Sequence, residues 1–440
     1  MPTSAFDGLA DQLARALTGT HAHAWTDFDE AVRAELRWGR SVPPVPTRFP
    51  GDPDRRPTAV ETAVALCGPD GRAREAALSF ARGLPELLPL VFVRCADWAG
   101  PVRERARSVL RAELPGVSPE TFGDLLAVAL LIAGRLRGDA ARELLAGSLR
   151  EGRASRVTAL LGNGDRRVRR LAHRIGVERG LLSPARLAET AATDPDVVVQ
   201  DLCANAALAA VRDAADGAVL GPLLRSRKGR VRAAGVTGLR RAGRAAEAEP
   251  FLYDRSAMVR ACARWVLRQA GTDPLPLYRA ACAAGTGVPD DAPYGLAECG
   301  ERAVDVPVLW ALTGHERARV RAGAVAGLRR FDAVRVEPLV PLLDDGSARV
   351  VRETVTALPP WAGRLPADGL LRRATTAPAA HVRGGALRLL AEAGGAPPRE
   401  AVRVLLDDPD PKLRARARRA WGEAPSSARD LPKVRSGWGR

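Results

Sequence analysis

Histidine, cysteine and arginine are the side chains of this 440-residue sequence whose types and spacing bear on chemistry. A protein metal site needs three or four convergent ligands, set at spacings that one turn or one helix face brings together. His21 and His23 in THAHAW are two ligands without a third, and His315-Glu316 is a single His-Glu pair. The six cysteines (Cys67, Cys95, Cys203, Cys262, Cys282, Cys299) are scattered, with no C-x-x-C and no close histidine. That spacing fits neither a disulfide framework nor a zinc site, so buried structural thiols are expected. The sequence has no glycine loop of phosphate-binding form, no G-x-S-x-G and no credible nucleophile and base. No catalytic residue, metal or cofactor is assigned, and the chain is expected not to be an enzyme.

Arginine raises a different chemistry. The chain holds 67 basic against 51 acidic side chains, a formal charge of +16, and only Lys228, Lys412 and Lys433 are lysines. Such a skew, with heavy Ala, Gly and Pro, also follows from a GC-rich genome. The excess is local, however: residues 1–60 carry seven Arg against eight acids, whereas residues 150–245 carry 19 basic against 9 acidic side chains. From Leu223 to Arg244 there are Arg225, Arg227, Lys228, Arg230, Arg232, Arg240, Arg241 and Arg244, and no acid. Such a cluster suits an acidic protein surface or phosphates, and equally a solvated helix face. No Trp, Tyr or Phe lies between Arg150 and Glu249, which disfavours base stacking and leaves duplex backbone contact as the nucleic-acid alternative.

A repeat must position these residues. One phrase recurs: an acid, a few turn formers, then an apolar residue followed by Arg, as in DWAGPVRERA from Asp97, DPDVVVQDLC from Asp194, DRSAMVRACA from Asp254 and DPDPKLRARA from Asp408. With the residue in the Arg slot as marker, the copies are Arg74, Arg103, Arg169, Gln200, Arg232, Arg260, Arg321, Arg352, Arg383 and Arg414. Successive markers are almost evenly spaced, except that the two intervals starting at Arg103 and Arg260 are close to double, so each hides a degenerate copy. About twelve units of roughly 31 residues result.

Each unit reads as a helical hairpin. After the marker the apolar residues fall on one helix face, as in Val320, Ala324, Leu328 or Val259, Ala263, Val266 or Leu413, Ala417, Trp421, with a small residue in the middle for close approach. A second apolar segment, such as VEPLVPLL, REAVRVLL, VPVLWAL or ELLPLVFV, precedes each acidic turn. One hairpin cannot bury its own faces, so only a stack makes a core. The fold class predicted is all-α, an α-solenoid of about twelve stacked helical hairpins.

This pattern resembles the HEAT-repeat family, in its short form found also in bilin lyases, over roughly five-sixths of the chain. The resemblance implies a structural ladder in which each Arg bonds the turn Asp of an adjacent repeat. Asp97, Asp194, Asp254 and Asp408 with Arg103, Arg260 and Arg414 would be its rungs, while Gln200, Ser226 and Gly346 fall where a charge is wanted. It also implies macromolecular binding on a curved surface, with a protein as the first expected partner and nucleic acid as the second. A HEAT-like DNA glycosylase or a lyase-like enzyme is the distant third reading. HEAT-like glycosylases use aromatic residues and an acid, for which Trp265, Trp310 and Trp361 beside Asp254 stand as candidates, whereas the di-iron hydroxylases need several His-Glu pairs.

The remaining arginines have a helical use. Arg82, Arg111, Arg240, Arg268 and Arg329 lie nine residues after the apolar marker, where a cation complements the helix dipole. Residues 1–40 are expected to form an N-terminal helical cap, through Phe6, Leu9, Leu13, Leu17 and then Phe28, Val32, Leu36 with Thr26 as N-cap. Residues 41–57 read as a Pro-rich linker, 58–422 as the array and 423–440 as a flexible basic tail. No run approaches the ~18 apolar residues of a membrane span and the start is not a secretory signal, so a cytoplasmic location without membrane insertion is expected.

Overall fold

The computed structural model describes residues 5–18, 22–37, 55–134, 139–212, 217–394 and 399–423. All regular structure among them is helical, as predicted. The chain divides into two compact units, Met1–Ala210 and Val211–Arg440, so the boundary falls inside the array expected at 58–422. Most of the 41–57 linker and nearly all of the 423–440 tail lie outside the described residues.

In the first unit, helices Ala5–Thr18 and His23–Arg37 bury Leu9, Leu13, Phe28 and Val32 in a core continuous with the first repeats. Thr26 is not the N-cap expected of it. The helix already begins at His23, and the Thr26 hydroxyl donates to the His23 carbonyl at 2.9 Å, a local bond available to a threonine within the first turn. In the second unit the marker faces pack as the spacing predicts, with Val259, Ala263, Val266, Val320, Ala324 and Leu328 all sealed from solvent. The small middle residue is needed: a Cβ on Gly235 would stand 2.9 Å from the Leu224 backbone nitrogen. Proline shapes the first helices. VEPLVPLL forms only the short helix Val336–Leu339 before Pro341, which lacks an N–H, turns it into the 3-10 segment Val340–Asp344. Arg111, Arg240, Arg268 and Arg329 occupy last turns of their helices, whereas Arg82 lies beyond the helix Gly71–Phe80.

The turns are held by a ladder whose pairing differs from the expected one. In the repeats marked by Arg103, Arg260 and Arg414 the arginine donates Nη1 to the carbonyl six residues earlier, on Asp97, Asp254 and Asp408, and Gln200 Nε2 does the same to Asp194. The turn Asp in turn accepts the N–H two residues on, as Asp97 does from Ala99 and Asp408 from Asp410. The inter-repeat ion pair then joins an arginine to the acid of the following repeat. Arg74 binds Asp97 at 2.8 and 2.9 Å, Arg232 binds Asp254 at 2.8 and 2.7 Å, Arg321 binds Asp345 at 2.8 and 3.0 Å, and Arg383 binds Asp408 at 2.7 and 2.9 Å. Arg169 reaches Asp194 more loosely, at 3.6 Å.

Three of the expected rungs are therefore corrected. Arg103 and Arg414 are seen bonding carbonyls of their own turns, and Arg260 binds Glu298, from the helix Ala292–Cys299 of a degenerate repeat, in place of a turn Asp. Gly346 is one residue off register: the acid is Asp345, and the Arg slot of that repeat is the buried Val351 rather than the exposed Arg352. Where the arginine is missing the following acid is missing too, since Val351 is followed by Ala377 and Gln200 by Ser226. A lone charge left in a nearly dry turn costs more than a neutral pair, so the partners are lost together. Turn geometry survives without the charge, because Ser226 Oγ accepts from the Lys228 N–H and His315 Nδ1 from the Arg317 N–H. The same His315 faces the Gly285 carbonyl with Nε2 at 3.0 Å, which requires the proton on Nε2.

The ladder makes stability acid-sensitive. Burial raises the carboxyls of Asp97, Asp254 and Asp345, but the hydrogen bonds and charge of Arg74, Arg232 and Arg321, with the capping N–H groups, outweigh it and hold all three below the usual range. For Asp408 the Arg383 hydrogen bond leads, and for Asp196 the Arg170 hydrogen bond leads and brings it down to about 2. These groups stay ionised to lower pH in the folded chain than in the unfolded chain. Their stabilisation is fully present above the unfolded-state value of about 3.9 and is lost as pH falls through the folded values. Melting temperature is expected to be insensitive to these carboxylates from pH 7 to about pH 5 and to fall between about pH 4 and pH 2. A melting temperature that stays level through the lower interval would contradict the pairing.

Candidate functional site

The basic segment runs along one helix, Gly229–Arg241, and is split between its two ends. At one end lie Arg225, Arg227, Lys228 and Arg230, and at the other Arg240, Arg241 and Arg244. Eleven residues of helix separate Arg230 from Arg241, about 16 Å at the usual rise. A continuous basic patch is therefore not what the fold builds. Arg232, between the two ends, is consumed by the rung to Asp254.

Each end has its own surroundings. Arg225 folds back over Gly221, and the Arg227 carbonyl accepts a bond from Arg255 Nη2 at 2.8 Å, which adds a further cation to this turn. At the other end Gly243, with φ 69°, reverses the chain in a conformation that suits glycine. That reversal places Arg244 against Glu247, at 2.6 and 2.7 Å, so this member of the expected site is an ion-paired side chain. Arg240 stands over the ring of Trp265, 5.4 Å from its centroid. Trp265 comes from the next second helix, Ala257–Gln269, and is 44% exposed. The absence of aromatics within residues 150–249 thus hides one supplied by the neighbouring repeat.

The other candidates are placed differently. Asp254 has both carboxylate oxygens occupied by Arg232 and one of them also by the Ser256 N–H. It is a rung, held ionised, and not disposed as a proton donor. Trp265, Trp310 and Trp361 lie on three separate segments, Ala257–Gln269, Arg302–Leu312 and Pro359–Arg364, with Arg335 placed 5.8 Å from the Trp310 ring. All six cysteines are free thiols, and burial pushes those of Cys95, Cys203 and Cys282 up to about 12. Such thiols are poor nucleophiles. His315 is engaged at both ring nitrogens, while His21 lies outside the described residues. Among the described residues no group of three or more His, Cys, Asp and Glu side chains is placed to hold a metal ion, and no helix is long and apolar enough to cross a membrane.

No protein-family model and no curated protein matches the chain. Solved structures similar to parts of it include Kap121p bound to Nup53p, at 13% identity and a TM-score of 0.31 over 80% of this chain and 47% of that one. Kap121p bound to the extreme C-terminus of the protein phosphatase Cdc14p is similar at 14% identity and a TM-score of 0.31 over 79% and 47%. An engineered protein is similar at 18% identity and a TM-score of 0.23 over 94% and 98%. The chain spans about half the length of the Kap121p chains it matches.

Proposed function

We propose that this chain is a non-catalytic repeat scaffold of HEAT-like type that binds a protein partner through the exposed side of its second helices. The supporting observation is the exposed Trp265 with Arg240 over its ring. Trp and Arg dominate the residues whose truncation costs most at protein interfaces, and an exposed indole under a guanidinium is a ready anchor. The division of the basic segment into two ends, with Arg232 between them and Arg244 at the second held in ion pairs, weakens the duplex-backbone reading, because the cations do not form one continuous track.

The test uses the purified full chain as bait for affinity capture with quantitative cross-linking, beside Trp265→Ala. Capture of a stoichiometric protein partner is expected, with affinity reduced about 30-fold or more in the variant at unchanged helicity. Failure to recover a stoichiometric protein, or undiminished capture by Trp265→Ala, overturns the proposal. Tight duplex DNA binding with a steep negative salt dependence would turn the function toward nucleic acid.

A further inference from the structure

The second helices of two successive repeats, Gly229–Arg241 and Ala257–Gln269, pack against each other, and neither carries an acid. Among their arginines, Arg232 is consumed by Asp254, and Arg260 and Arg264 by Glu298. Arg240 and Arg268 stand in the last turns of the two helices and make no ion pair among the described residues. Beside these cations the helix Ala257–Gln269 turns an apolar stripe to solvent. Met258 is 52% and Trp265 44% exposed, and Ala261 between them is exposed as well. Their spacing, i, i+3 and i+7, puts all three on one face over two turns, about 10 Å of helix. None of them is core: the buried face of the same helix is Val259, Ala263, Val266 and Leu267.

Each edge of the stripe has a cation. On one side Arg240, from the helix Gly229–Arg241, stands over the Trp265 ring. On the other, Arg268 lies three residues after Trp265, a neighbouring position on the helix surface. Burial raises the Cys299 thiol and the charges of Arg264 and Arg268 oppose it, which sets Arg268 toward the helix Ala292–Cys299. The acids around this face are engaged elsewhere. Glu247 pairs with Arg244, Asp254 with Arg232, and Glu298 with Arg260 and Arg264. Asp273 caps its own helix, accepting the Leu275 N–H at 3.1 Å. Glu249 belongs to the 3-10 segment Ala245–Tyr253, which takes the place of a first helix.

We propose that this face docks an amphipathic helix of a protein partner, whose apolar stripe lies on Met258, Ala261 and Trp265 and whose acidic side chains flank that stripe, against Arg240 and Arg268. The inference rests on the protein-binding reading and gives that partner its chemistry. Ala261 between two large side chains leaves a hollow that a side chain of a facing helix fits, as ridges pack into grooves. A helix also satisfies its own backbone. An extended segment would have to bury its N–H and C=O groups against a helix whose own are already paired. A phosphate backbone would use the cations and leave Met258 and Ala261 in water. A second copy of this chain, presenting the same face, would set Arg240 and Arg268 against their own like charges.

The test is fluorescence anisotropy of the full chain with a labelled Ala-rich peptide of about 18 residues, long enough to be helical, with Leu at i, i+3 and i+7 and Glu on both sides of them. Beside it stand the same peptide with Gln for Glu, a form interrupted by a central Pro, and labelled duplex DNA of random sequence. The Glu peptide is expected to bind at least about tenfold more tightly than either the Gln or the Pro form. Arg240→Gln/Arg268→Gln is expected to weaken the Glu peptide at least about tenfold and to leave the Gln peptide nearly unchanged. Met258→Gln, at the other end of the stripe, is the second variant and is expected to weaken both peptides by a like factor. All three substituted side chains are exposed, so circular dichroism of the variants is expected to match the parent. No binding of the Glu peptide, equal binding of the Gln or Pro form, equal binding by the arginine double variant, tighter DNA binding that this variant abolishes, or self-association of the chain that Trp265→Ala abolishes would each overturn the proposal. A partner captured through Trp265 but cross-linked by a basic or extended segment would overturn the docked helix and leave the scaffold function standing.

Discussion

Asp97→Ala is expected to destabilise the first unit by about 3–5 kcal/mol, the cost of breaking a buried ion pair from one side. The Asp97 carboxylate is sealed and accepts from Arg74 Nε and Nη2 at 2.8 and 2.9 Å, from Arg94 Nη1 at 3.2 Å and from the Ala99 N–H at 2.9 Å. Both guanidiniums are 1% exposed, so water cannot replace the lost anion. Arg94 keeps its contact with Asp29, while Arg74 is left with the carbonyls of Gly68 and Pro69. Urea unfolding followed by circular dichroism checks this against Arg72→Ala, an exposed control expected to change stability by no more than about 0.5 kcal/mol. A loss for Asp97→Ala indistinguishable from that control would refute the rung. The double variant Arg74→Met/Asp97→Leu is expected to cost less than Asp97→Ala alone, because no charge is then stranded. Val351 followed by Ala377 shows the same neutral replacement already present in this chain.

Glu298→Ala is expected to cost a comparable amount, about 3–5 kcal/mol, and more than Arg260→Ala. Glu298 binds Arg260 through both carboxylate oxygens and Arg264 Nη1 at 2.5 Å, and both arginine side chains are nearly buried. Removing the acid strands two cations together, and they repel. Removing Arg260 leaves Glu298 with Arg264, and Arg264 with Tyr278 Oη at 3.5 Å, so one ion pair survives. The order of the two variants in denaturant midpoint is the readout. An Arg260→Ala loss equal to or larger than that of Glu298→Ala would show that Arg264 does not share the charge.

Both sites bear on what a single sequence reveals. Subtracting the offset between turn acid and marker arginine from the repeat length places the next acid somewhat less than one full repeat beyond each arginine. Arg74 to Asp97, Arg321 to Asp345 and Arg383 to Asp408, with sequence separations of 23, 24 and 25, satisfy that arithmetic, so this direction of pairing was present in the spacing. Glu298 was not visible in this way. It lies in a repeat whose phrase has decayed, on a helix rather than a turn, and only the packing of Ala292–Cys299 brings it to Arg260. Register at Val350-Val351-Arg352 was ambiguous for a plain reason. Two adjacent valines fit the apolar slot equally well, and burial of Val351 with exposure of Arg352 settles which face points inward.

Composition, periodicity and the placement of small residues by themselves determined that this protein is a succession of helical hairpins, because those signals are local and each helix must bury one stripe of its own surface. The same local logic put the turn acids Asp97, Asp194, Asp254 and Asp408 in their places. What the basic side chains outside the ladder face was decided by tertiary structure. Charges within one short stretch of sequence, such as Arg230 and Arg241, lie at opposite ends of a helix, while Trp265 meets Arg240 and Arg352 joins Arg388 and Arg416 only because successive repeats stack. A surface is assembled from side chains a whole repeat apart in the chain, and its charge is read from neighbours in space.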